Sequence, residues 1–122
     1  MEKKMAPPFT DGFCKIHVTA NGSPGGGKPR DVIKSTLDRV AYSNLNVGIK
    51  RRELAKQAHK EIHRRIRCPR RKGVEIGYAV AFEEGGEHYE IVSIDYPTMY
   101  VPAVMELDLE RRAARYESTA VV

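Results

Sequence analysis

The chain has 122 residues, enough for one domain, and its 41% apolar and 30% charged residues exclude an intrinsically disordered chain. The longest unbroken apolar run, Tyr78 to Phe82, falls far short of the ~20 residues that span a bilayer. The opening MEKKMAPPFTDG has lysines but no apolar segment behind them, so no secretory signal and no membrane partner is expected. The net charge of +5 conceals a segregation along the chain. Lys50 to Lys72 holds eleven basic and two acidic residues, whereas Gly73 to Glu110 holds nine acids and no Lys or Arg.

In chain order, residues 1–12 contain two prolines and no period, and are expected to be a flexible arm. Phe13 to Ala20 alternates as a half-buried strand, with Cys14, Ile16, Val18 and Ala20 on one face. Residues 21–30, NGSPGGGKPR, are too rich in glycine and proline for anything but loop. Residues 31–38 suggest a turn of helix, and Arg39 to Val47 a second strand with Ala41, Ser43, Leu45 and Val47 on one face. From Lys50 to Ile66, Leu54, Ala58, Ile62 and Ile66 recur every four residues among strong helix formers, while from Glu61 onward a strand fits equally well. Ile76 to Phe82 and HYEIVSI flank the turn EEGGE as a β-hairpin. A last strand runs from about Val101 to Leu109, with Ala103, Met105, Leu107 and Leu109 facing one way and Val104, Glu106, Asp108 and Glu110 the other. The expected fold is mainly β, a small barrel of five to six strands with little helix.

Chemical motifs are incomplete. Gly22 to Lys28 matches GxxxxGK, and IVSID ends in Asp95 like a magnesium-holding strand, but Pro29 occupies the position that needs a Ser or Thr hydroxyl and a backbone N–H. His59 and His63 are four apart, yet HKEIH places lysine where HExxH needs glutamate. Cys14 and Cys68 lie far apart without a CxxC partner, which suits a reducing compartment and implies neither a disulfide framework nor a zinc cage. No nucleophile and base pair is recognisable, so neither an enzyme nor a cofactor is expected.

The basic run KRRELAKQAHKEIHRRIRCPRRK is either a solvated face, a surface for nucleic-acid phosphates without base specificity, or one half of a contact between copies. For the last, the acidic stretch supplies the complement, and head-to-tail packing of such flanks closes a ring when the rotation permits.

The order of these segments resembles the head-tail adaptor (head-closure, or stopper) family of long-tailed bacteriophages. The resemblance covers about Phe13 to Arg112 and rests on CKIHVTA, then DRVAYSNLNVGIKRRELAKQAHKEIHRRIRC, then GYAVAFEEGGEHYEIVSI, then VMELDLER. The positions that carry it are Gly48, Glu53, Leu54, Ala55, Gln57, Ala58, His63 and Arg64, followed by Gly86, Tyr89, Glu90, Ile91, Ser93 and Ile94. The chain departs from the family pattern in its second strand, AYSNLNV, where the family's is usually rich in aromatics and often holds tryptophan, and in its glycine-rich first loop.

The resemblance implies an arm over residues 1–12, a barrel over 13–112 and a tail over 113–122, with residues 48–60 a long loop between two strands that points into a ring channel. It also implies a virion neck protein, made in the host cytoplasm, whose six or twelve copies form a ring. That ring would lie below the portal and adaptor and above the tail terminator or tail tube, closing the exit for packaged double-stranded DNA. A single chain of this size has a compact radius of gyration of only ~14 Å, too small to surround a duplex, so copies are required. On this view Lys50, Arg51, Arg52 and Lys56 face DNA, while Arg64, Arg65, Arg67, Arg70 and Arg71 meet Glu83, Glu84 and Glu87 of an adjacent copy. Alternatives are a sequence-nonspecific nucleic-acid-binding module, with the basic run as a helix, and a tail-terminator or other tail-completion ring.

Overall fold

The computed structural model describes residues 4–21, 31–58, 60–85, 87–111 and 117–118. The elements are β1 (Lys4–Met5), β2 (Gly12–Asn21), β3 (Asp31–Leu45), α1 (Ile49–Gln57), β4 (Arg64–Pro69), β5 (Ala79–Phe82), β6 (His88–Asp95), β7 (Tyr100–Val101), β8 (Val104–Arg111) and β9 (Glu117–Ser118). Six strands close into an antiparallel barrel in the order β2-β5-β6-β8-β4-β3, with β3 pairing back onto β2. Closure gives each of the six barrel strands a partner on both sides, and the mainly β barrel agrees with the expected five to six strands and little helix.

Alternation fills the barrel. Cys14 and Ile16 of β2, Val40 and Tyr42 of β3, Ile66 and Cys68 of β4, Val80 and Phe82 of β5, Tyr89 and Ile91 of β6, and Met105, Leu107 and Leu109 of β8 form one core. Each such large apolar side chain contributes roughly 1.5–3 kcal/mol by leaving water. Phe82 is the aromatic centre, edge-on to Tyr42 at 4.9 Å and to Tyr89 at 5.3 Å. Burial pushes the Cys14 and Cys68 thiols up to about 12, so both remain protonated and unreactive inside the folded barrel. Gly12 enters β2 at φ +139°, and a Cβ there would also stand 3.3 Å from the Tyr42 ring, so two constraints demand glycine.

Several expectations need correction. Residues 31–38 are strand, not a turn of helix, because β3 continues along β2 as far as the pair Asn21 and Asp31. The inward face of β3 is Val40 and Tyr42, which turns Ala41, Ser43 and Leu45 outward. Ile76 lies outside β5 and is 59% exposed. Part of the N-terminal arm is fixed, since Lys4 and Met5 pair in parallel with Tyr100 and Val101. Part of the C-terminal tail is also strand, with Glu117 and Ser118 beside Val32 and Ile33. The connection between β3 and β4, expected as loop over 48–60, carries α1. The GxxxxGK segment, His59 and Gly86 lie outside the described residues.

Candidate functional site

With Ile66 and Cys68 inside the barrel, the period of two forces Arg65 and Arg67 to its outer surface. Pairing with β8 then sets Arg65 opposite Asp108 and Arg67 opposite Glu106. On the other side of β8, β6 sets Ser93 opposite Asp108 and Asp95 opposite Glu106. A register shift between Ile91 and Ser93 makes this possible, because it lets Ile91 and Ile94 both serve the core while Ser93 faces out.

Arg65 donates from Nη1 to Asp108 Oδ1 at 2.6 Å, and from Nη2 to Asp95 Oδ2 at 2.9 Å and Glu106 Oε1 at 2.8 Å. Arg67 donates from Nε and Nη2 to Glu106 Oε2 at 3.0 and 2.8 Å. Asp108, only 1% exposed, also accepts Ser93 Oγ–H at 2.7 Å and Arg51 Nη1–H at 2.9 Å. Arg51 reaches Asp95 as well, at 3.1 Å. Three guanidinium groups thus face three carboxylates, and buried charge is tolerated because it is paired and hydrogen-bonded. Burial disfavours the Arg65 charge, but the bonds from Asp108, Asp95 and Glu106 outweigh it and hold its pKa above the ordinary value.

Over this face lies α1, which buries none of its residues and exposes 77% of Ile49 and 65% of Leu54. Gly48 gives it no side-chain cap, and its first turn carries Lys50, Arg51 and Arg52 with no acid, against the helix dipole. A nine-residue helix is marginal alone, so its tether matters. That tether is Arg51 on Asp95 and Asp108. Beyond the helix, the Glu61 N–H donates to Glu110 at 2.7 Å and the His63 N–H to the Leu109 carbonyl at 2.8 Å. Between helix and barrel remains a cleft of about 590 Å³, walled by Leu54, Ala55, Ala58, Ile62, Val92 and Ser93, with Lys50 and Lys60 also lining it.

The twelve residues singled out in the sequence therefore part company. Lys50, Arg52 and Lys56 are exposed on α1 with no side-chain partner among the described residues. Arg51, expected to face DNA, is held by carboxylates of its own chain. Arg65 and Arg67, expected to meet an adjacent copy, are turned onto β6 and β8 by strand pairing, and Arg65 is only 6% exposed. Arg64 covers the core from one end, its guanidinium 3.7 Å above the Phe82 ring, donating to Asn44 Oδ1 at 2.9 Å and to the Tyr42 hydroxyl at 3.1 Å. Arg70 lies 4.9 Å from the Tyr96 ring centroid, and Arg71 bonds Asp38, holding that carboxyl below its usual range. Glu83 pairs with Arg39 at 2.7 Å, Glu87 accepts from the Tyr89 hydroxyl at 3.1 Å, and Glu84 is exposed. Sequence reasoning missed Asp95, Glu106 and Asp108 as partners of the arginines. The signal was present in two blocks of equal and opposite charge and in alternation that could have matched Arg65 and Arg67 to Asp108 and Glu106.

His63 accepts the Arg111 N–H at Nδ1, 3.0 Å, and sets Nε2 3.1 Å from Glu61. Among the described residues no group of three or more His, Cys, Asp or Glu could hold a metal ion. No described helix is long and apolar enough to cross a membrane. No protein-family model matches the chain, and no curated protein matches it either.

Proposed function

We propose that this chain is a non-enzymatic neck component of a long-tailed bacteriophage particle, working as a ring of six or twelve copies. The ring lies between the portal and adaptor above and the tail terminator or tail tube below, and its β3–β4 connections close the channel on packaged DNA. The observation that carries this reading is α1 itself, a helix that contributes nothing to the core yet presents Lys50, Arg52 and Lys56 without side-chain partners among the described residues. Helices are ordinarily held by packing one face, so a cationic helix left outside the core fits a role toward an outside polyanion. The closed barrel beneath it supplies a rigid mount.

The internal use of Arg51, Arg65 and Arg67 changes one part of the scheme. Contact between copies falls to side chains that remain outward, such as Arg70, Glu84 and the exposed Tyr96 and Met99, instead of a whole basic flank meeting a whole acidic one. Imaging particles assembled without this protein tests the reading. DNA-empty heads lacking tails are expected, and filled, tailed particles would overturn it.

A second reading is favoured by the helical state of residues 49–57, namely a monomeric module that binds nucleic acid through the same cations without base specificity. Sedimentation of the purified chain with and without duplex DNA separates the two. Salt-steep binding by monomers alone supports the module, and ring-sized species support the neck protein.

A further inference from the structure

We infer that the cleft between α1 and the barrel is a binding site for a small amphipathic anion, a molecule with an apolar body and one carboxylate or sulfonate. The inference does not depend on the neck reading. Protein interiors close to crystal-like density, and a hollow of about 590 Å³ lies within the range of small-molecule sites, roughly 300–1,000 Å³. It persists here because α1 is held off the barrel by an ion pair instead of resting on it through apolar side chains.

The lining specifies the ligand. Leu54, Ala55 and Ala58 from the helix side and Ile62 and Val92 from the barrel side offer apolar surface. Lys50 and Lys60 also line the cleft, and neither has a side-chain partner among the described residues. The carboxylate on the floor, Asp108, is already matched by Arg65 and Arg51, so it does not repel an anion as a bare acid would. An apolar body therefore leaves water against the five apolar residues while its anionic end meets two ammonium groups. A cationic or fully polar solute gains neither contact.

Two probes of this chemistry are decanoate, with decanol as its uncharged control, and the fluorophore anilinonaphthalene sulfonate. With the intact folded chain, the fluorophore is expected to bind saturably at one site and to be displaced by decanoate at least threefold more effectively than by decanol. The double variant Lys50→Gln with Lys60→Gln removes two charges that have no side-chain partner among the described residues and is expected to weaken decanoate about three- to tenfold, a loss typical of exposed charge pairs. Ala58→Phe, at the exposed residue that follows α1, is expected to abolish binding by filling the cleft while circular dichroism remains that of the parent. Absence of saturable binding, equal displacement by decanoate and decanol, or unchanged affinity in folded Ala58→Phe each overturns the inference.

Discussion

The outer face of β4 and the surface of α1 come from one basic stretch of sequence, yet the fold gives their charges opposite fates. Arg65 and Arg67 sit on a strand whose neighbour carries acids in register, so pairing brings both of these guanidinium groups to carboxylates within the chain. Lys50, Arg52 and Lys56 sit on α1 where, unlike Arg51, they meet no carboxylate among the described residues, and their charges remain available to solvent or a partner. A basic run in a sequence thus measures supply, and only topology decides how much of it stays at the surface. Here the mature charge pattern is a neutral ion-pair face with a cationic helix over it.

The sharpest way to break the comparison is on the β4 side. Replacing Arg65 with alanine leaves Asp108 buried with only Arg51 and Ser93, and leaves Asp95 directly opposite Glu106 with no cation bridging them. Removing one partner of such a buried group costs about 3 kcal/mol, which urea unfolding followed by circular dichroism will register as a lower midpoint. A change under about 1 kcal/mol would mean that the network is not held as the strand pairing places it.

Arg51 joins the two regions, and its replacement has a smaller and more local effect. Asp108 keeps Arg65, so global stability should fall by only about 1 kcal/mol in Arg51→Ala. The helix, however, loses its tether and has no buried side chain to replace it. Hydrogen exchange should then accelerate at residues 52–58 while β4, β6 and β8 stay protected. Equal protection in the parent and the variant would show that α1 is held by something other than Arg51.

Much of the barrel was legible because period-two alternation is a local signal. Cys14 and Ile16, Val80 and Phe82, and Met105, Leu107 and Leu109 all appear in the sequence with the face they use in the fold. Residues 31–38 were not legible, because what makes them strand is pairing with β2, which their own local pattern does not announce. Nor was the burial of Asp108. Alternation correctly placed it outside the barrel, but Arg65, Ser93 and Arg51 of α1, from three other parts of the chain, converge on it there. The local four-residue period over Lys50 to Ile66 did contain the helix, whereas the family resemblance favoured loop, and local propensity decided residues 49–57.

A third, gentler probe is pH. Burial, His88 and Lys15 keep the His17 imidazole below its ordinary value of 6.5, and its Nδ1 lies 3.0 Å from Thr36 Oγ1. As pH falls through 6.5 the unfolded chain takes up a proton that folded His17 resists, so the unfolded state binds more protons and stability declines. The decline stops once folded His17 protonates too. Urea midpoints at pH 7.5 and 5.5 should therefore differ less in His17→Gln than in the parent, and an identical difference would remove His17 from the account.

The α1 side predicts the smallest change in stability and a distinct change in binding. Converting Lys50, Arg52 and Lys56 together to glutamine touches no partner among the described residues, so the urea midpoint should move by the equivalent of less than about 0.5 kcal/mol. If these three cations are the ones that meet phosphate, each releases close to one condensed counterion. The slope of log affinity for duplex DNA against log salt should then become shallower by about 2 to 3. Arg67→Gln offers the internal control, because its guanidinium already belongs to Glu106 and its loss should leave that slope unchanged while lowering stability. The opposite result, a slope that follows Arg67 and ignores α1, would mean that the β4 face opens to take DNA and that the helix is not the contacting surface.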